Sequence, residues 1–176
     1  MAGEREALAA LRRIAGVAPA VAVAEHVDVH RVRGRADLRR FVAAMFGDRP
    51  AWLRGLYRLR GLLARLLGLR QAVPAAPGVM QPEDVPMTPG GKLGFFTVLA
   101  AKPDAYWAAE ASDRHLRAVL AVLAAPGPEG RTVYDVVTVV VYRHWTGPVY
   151  FNLIRPFHHL VVWRMAKRAA CGCDAP

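Results

Sequence analysis

Cysteine is nearly absent from this chain. Cys171 and Cys173, close to the C-terminus, are the only two among 176 residues. A disulfide framework is thereby excluded, and C-x-C alone makes a poor metal site, because zinc takes four ligands and none is placed nearby. The pair reads as free thiols in a cytosolic tail, residues 171–176. Acidic side chains are also scarce, 14 against 24 Lys and Arg, which leaves a net charge of +10. The sequence lacks G-x-S-x-G, a glycine-rich phosphate loop, H-E-x-x-H and C-x-x-C, so the commonest hydrolase, nucleotide, zinc-protease and thiol-redox signatures are missing. Neither a cofactor nor a metal is expected.

Long apolar runs are missing as well. A membrane span needs ~20 predominantly apolar residues, and Asn152, Arg155, His158, His159 and Arg164 interrupt the greasiest stretch. At the N-terminus, Glu4 and Glu6 occupy what should be a positive region and Pro19 breaks the apolar run, so no targeting signal is expected and the location reads as cytoplasmic.

What is present is apolar residues, 54% of the chain, enough for a folded core in a single domain over residues 21–170. The basic excess is local: residues 31–70 hold eleven Arg against Asp37 and Asp48, a balance of +9. Within that stretch Pro50 to Leu67 forms an amphipathic pattern, with Trp52, Leu56, Leu59, Leu63 and Leu66 on one side and Arg54, Arg58 and Arg65 on the other. Such a helix can lie on an anionic membrane surface, making the protein membrane-peripheral, although an ordinary surface helix is the simpler reading. No spacing supports specific nucleic-acid readout.

Residues 1–20 read as an N-terminal arm or short helix. Ala22 to Val32 alternates as a half-buried strand, with His26, Asp28 and His30 sharing one face. H-x-D-x-H is a partial metal site. One strand cannot easily wrap an ion and no fourth ligand is evident, so the solvated face of a first strand is favoured. Ala36 to Phe46 reads as a helix. Gln71 to Gly94, rich in Pro and Gly, reads as a long loop entering a sheet. Four β-like segments follow, Phe95–Ala101, Ala105–Ser112, His115–Ala124 and Thr132–His144, spaced as an antiparallel meander.

The chain ends in an apolar helix, Thr146 to Arg168, bent at Pro156. Val149, Leu153, Phe157, Leu160 and Val161 form its expected buried stripe, and Asn152, Arg155 and His159 a narrow polar one. That polar stripe faces either water or an apolar pocket; for Arg155 a structural anchor between helix and sheet is favoured.

Asp113-Arg114-His115-Leu116 with Arg117, and the run Tyr142-Arg143-His144-Trp145-Thr146-Gly147-Pro148-Val149-Tyr150 leading into Ile154-Arg155-Pro156-Phe157-His158, resemble a bacterial family, domain of unknown function 2867. The resemblance covers about Val21 to Ala170 and extends to the helix from Pro50 to Leu69. It implies an α+β helix-grip fold of the START-like, Bet v 1-like (SRPBCC) kind. In such a fold a curved antiparallel sheet wraps a long C-terminal helix, two shorter helices follow the first strand, and a cavity lies between sheet and last helix. The family carries no agreed catalytic residues.

The expected function is binding of a hydrophobic or amphipathic small molecule, or a lipid, in that cavity, with Trp107, Leu116, Tyr134, Tyr142, Leu153 and Phe157 as candidate lining residues. The alternative is a cyclase- or hydratase-type enzyme in which Asp113 and His115, two residues apart on one strand face, move protons. A structural ion pair at a strand end is the plainer account of those two.

Overall fold

The computed structural model describes residues 2–47 and 80–172. The basic pattern with Arg54, Arg58 and Arg65 lies outside these residues, as does Cys173. Two helices open the chain, α1 (Ala2–Arg12) and α2 (Ala18–Ala22). Strand β1 (His26–Gly34) and helix α3 (Leu38–Gly47) follow. The meander is β2 (Lys92–Leu93), β3 (Phe96–Lys102), β4 (Tyr106–Ser112), β5 (Leu116–Pro126) and β6 (Thr132–Tyr142). A single helix, α4 (Thr146–Gly172), closes it.

The strands form one antiparallel sheet in the order β1-β6-β5-β4-β3-β2. Each of β2 to β6 pairs with its chain neighbour, as short turns between alternating segments dictate. The first strand crosses to the far edge and joins β6, with Asp28 opposite Thr138 and Val32 opposite Tyr134. Among the described residues the architecture is α+β and helix-grip: a curved sheet, a long closing helix on one face and a short helix after the first strand. The strand expected over 22–32 begins later, because Ala18–Ala22 takes a helical turn opened by Pro19.

Side chains alternate across the pleat, so the register assigns each face. One face packs on α3 and the C-terminal half of α4, through Trp107, Leu120, Val122, Tyr134 and Val136 against Phe41, Phe46, Val162 and Ala166. The other packs on α1 and α2, through Val119, Ala121, Val137 and Val139 against Ala7, Leu11 and Val17. Strand β6 is therefore covered on both sides, which is why seven consecutive residues, Tyr134 to Val140, are buried and why it reads as an almost unbroken β-branched run. The N-terminal segment is a packed layer, not a loose arm: Leu11 and Val17 have no exposed surface.

Two polar contacts tie the layers. Tyr134 donates its hydroxyl proton to the Ala36 carbonyl and stacks on Phe41 with ring centroids 3.9 Å apart. Asp135, on the opposite face, accepts two bonds from Arg31, at 2.7 and 2.8 Å. That bidentate bond raises the Arg31 pKa further above its already high value. At Gly34 a Cβ would sit 3.3 Å from both the Cα and the carbonyl oxygen of Ala170, so the end of β1 and the end of α4 touch almost backbone to backbone.

Candidate functional site at the seam of the first strand and the last helix

The rotation of α4 differs from the expected one. Val149, Leu153, Phe157 and Leu160 are exposed, between 42% and 55%, and Trp163 lies on the same outer side. The inward side carries Tyr150, Phe151, Val162, Ala166 and Ala169, with His158 and His159 half-buried between them. A helix apolar on most sides does not fix its own rotation from hydrophobicity alone. Close approach to β1 selects the face with small residues near its C-terminal end.

This rotation places the two helix histidines over β1. Asp28 and His30 project from the strand two residues apart, on the face that meets α4. Their side chains are 12% and 16% exposed, so the face is covered and not solvated. Asp28 Oδ2 lies 2.7 Å from His30 Nε2 and 2.7 Å from His159 Nδ1. Those distances suit hydrogen bonds, but Asp28 Oδ2 and His30 Nε2 make no directional hydrogen bond and are buried, as is His26 Nε2. The His26 ring stands 4.9 Å from Phe151 and 5.6 Å, edge on, from His159. His158 turns the other way along the helix, with Nε2 3.4 Å from the buried Thr138 hydroxyl.

The charges at the seam act on one another. Burial opposes the Asp28 carboxylate's charge. His30, by its close contact and by charge, and then His159 and His158 outweigh it and hold the carboxyl below its ordinary range. The His26 pKa is lowered too: burial first, then Arg155 and His159, disfavour its charged form against the weaker pull of Asp28. Both shifts favour an ionised carboxylate beside a neutral imidazole. Burial and the nearby Glu25 raise the pKa of the Tyr142 phenol, which stays protonated.

The other candidates fall elsewhere. Trp107 is fully buried against Phe46 and donates to the Pro86 carbonyl at 3.0 Å, and Tyr134 is fully buried on Phe41; both belong to the packed core. Leu153 and Phe157 lie on the outer face of α4, turned away from the sheet. Leu116 and Tyr142 sit opposite one another at the seam end of β5 and β6, beside Tyr150, Ile154 and Phe151.

Asp113 and His115 do not share a strand face. They sit in the β4–β5 turn, where Asp113 Oδ1 accepts the backbone N–H groups of His115 and Leu116 at 2.7 and 2.9 Å. This is the turn-stabilising use of an aspartate. The His115 ring goes instead to Thr146, Nδ1 to Oγ1 at 2.8 Å, and His144 Nδ1 reaches the same hydroxyl at 3.0 Å. One hydroxyl has one proton, so at least one of these imidazoles presents Nδ1–H.

Residues 20–165 match the family described as protein of unknown function (DUF2867). The chain belongs to that family. No curated protein matches it, so no activity carries over from a relative. In this DUF2867 chain what sequence reasoning missed is the reach of His159 from its polar stripe to Asp28, which supplies the partner that H-x-D-x-H on β1 lacked. The available signal was a pair of adjacent histidines on a helix otherwise apolar on its inward side.

Proposed function

We propose that this DUF2867 domain binds a small amphipathic molecule at the seam of β1, β6 and α4, as expected of a START-like, SRPBCC-type domain. The observation carrying the proposal is His26 Nε2, buried without a hydrogen-bond partner, beside the Asp28–His30–His159 contact on a largely apolar sheet face. Buried polar groups in folded proteins are normally satisfied, and one that is not points to a partner outside the chain. Phe151 and, behind it, Tyr142 supply apolar walls beside His26, with Leu116 opposite Tyr142 on the next strand, and Arg155 brings a positive charge to the exposed side. An apolar site with a few placed polar groups is the usual form of a ligand site.

Mass spectrometry of gently purified, then denatured, protein tests this. A small molecule should co-purify, and Phe151→Ala should reduce its recovery. Preparations repeatedly free of any such molecule, with no uptake of a hydrophobic dye, would overturn the reading. The enzymatic alternative through Asp113 and His115 lacks the shared strand face it assumed, since both lie in the turn between β4 and β5.

A second reading rests on a different observation. Trp145, Val149, Leu153, Phe157, Leu160 and Trp163 leave an apolar stripe exposed along α4, with Arg143 and Lys167 exposed near its ends. Aromatic and aliphatic side chains beside basic ones suit the surface of an anionic membrane. Among the described residues no helix is long and apolar enough to cross one.

A further inference from the structure

We infer that Asp28, His30 and His159 bind a divalent first-row transition-metal ion of the zinc class, held between β1 and α4. The donor atoms, one carboxylate oxygen and two imidazole nitrogens, all lie within 4.8 Å of one another. Two of them come from one strand face and the third from a helix packed over it, so the ion would be gripped from two elements and not by a single strand. Two histidines and one carboxylate form a donor set used by zinc and by other ions of this row, with further positions left for water.

The distances need a small opening. Bonds of about 2.0–2.1 Å to a tetrahedral ion separate neighbouring donors by about 3.3 Å, against the 2.7 Å contacts of Asp28 with each histidine. Side-chain adjustment that opens these two contacts by roughly 0.6 Å and sets the two imidazole nitrogens, which lie within 4.8 Å of one another, at that tetrahedral separation admits the ion. The same two contacts explain how the site survives empty: with protons in place of the metal, the carboxylate sits between two imidazoles. That arrangement leaves Asp28 Oδ2 and His30 Nε2 without aligned hydrogen bonds, whereas lone pairs directed at a common centre need no alignment with one another. The His159 side chain is 33% exposed, which leaves an approach from solvent. His26, two residues before Asp28 on the same face, stands outside coordinating distance and can reach the ion only by moving.

Arg155 opposes the ion. Its Nε is 3.5 Å from His159 Nε2, at the outer limit of a hydrogen bond. A metal on Nδ1 leaves the proton of neutral His159 on Nε2, where it cannot accept from arginine. The exposed Arg155 side chain must swing into solvent when the ion enters. A hydrogen-bond acceptor at this position would orient the imidazole in the way that partners of metal-bound histidines do. Replacing arginine by glutamine therefore removes the repelling charge and supplies such an acceptor.

The inference shares its residues with the small-molecule reading but does not require it, since the ion is tested with no organic ligand present. The experiment is isothermal titration of zinc into chelator-treated full-length protein carrying Cys171→Ser and Cys173→Ser, so that tail thiolates contribute nothing. One zinc should bind per chain. His159→Ala, whose circular dichroism should match the parent, should weaken binding by more than the about 10–100-fold typical of an outer-shell change, and Asp28→Asn likewise. Arg155→Gln should tighten it. Cobalt in place of zinc should give visible d–d bands in the parent that His159→Ala removes, a readout independent of folding stability. No heat of binding in the parent, or binding and cobalt spectra unchanged in His159→Ala and Asp28→Asn, would overturn the inference. A parent that binds zinc yet never carries a co-purified molecule leaves the metal site standing and removes the small-molecule reading alone.

Discussion

Tyr134 and Asp135 are neighbours on β6 that serve opposite faces of the sheet, and each makes a prediction. The Tyr134 hydroxyl satisfies the carbonyl of Ala36, a buried residue, while its ring lies on Phe41. Tyr134→Phe keeps the stacking and removes the donor, so urea unfolding should show a loss of about 1–3 kcal/mol. A loss within about 0.5 kcal/mol, the range of an inert surface change, would mean that water replaces the hydroxyl. Asp135 is 8% exposed and balanced by Arg31, whose side chain is 42% exposed. Fully buried pairs lose about 3–5 kcal/mol when one partner is removed. Solvent screening on the arginine side brings the expectation for Arg31→Ala down to about 1–3 kcal/mol. It should be larger than that of Arg40→Ala, whose partner Asp37 is itself exposed. At this scale much was legible in the sequence: alternation put His26, Asp28 and His30 on one strand face. The reach of His159 was not legible, because its contact with Asp28 depends on how a helix far along the chain is rotated.

That rotation is a property of α4 as an element. Its sequence is apolar on nearly every side, so the stripe through Val149, Leu153, Phe157 and Leu160 was as good a candidate for burial as the one through Phe151, Val162 and Ala166. Tertiary contact chose between them. Ala166, Ala169 and Ala170 let the helix end approach Gly34, and larger residues on that side would not. Turn chemistry and alternation, by contrast, fixed the meander locally, which is why β3 to β6 were legible to within two residues or so at their ends. The two helix faces predict different outcomes. Leu153→Glu and Leu160→Glu, at 49% and 42% exposure, should shift stability by no more than about 0.5 kcal/mol. Val162→Ala on the inward face should cost about 1–3 kcal/mol. Gly34→Val should be destabilising by about 1–3 kcal/mol, since its Cβ meets helix backbone that cannot move aside cheaply. Thermal or urea unfolding of the four variants reads the helix orientation directly. Equal losses at Leu153 and Val162 would show that the helix turns its other side to the sheet.

Across the whole chain, the net positive charge is concentrated in one stretch of sequence and the exposed apolar side chains of the described residues mostly in another. Residues 31–70 hold +9 of the chain's +10, and α4 carries exposed apolar side chains along its outer face. A membrane-surface role needs both, and their contributions separate by ionic strength. Each Lys or Arg near an anionic surface contributes about 1 kcal/mol, so losing Arg54, Arg58 and Arg65 together amounts to about 3 kcal/mol, or a factor of roughly 100 in partitioning. Screening has the same target: the Debye length falls from about 8 Å at physiological salt to about 3 Å at 1 M. Flotation with vesicles rich in phosphatidylserine should therefore carry the protein upward at low salt, release it in high salt, and fail for the triple Arg→Gln variant. Substituting Leu153 and Leu160 by Glu should weaken flotation at every salt concentration, because burial of apolar surface is not screened. Flotation that survives both high salt and the triple variant would assign the attachment to the apolar face of α4 alone. No flotation at any salt would leave the basic stretch as an ordinary solvated surface, and the seam between β1 and α4 as the remaining candidate for what this domain does.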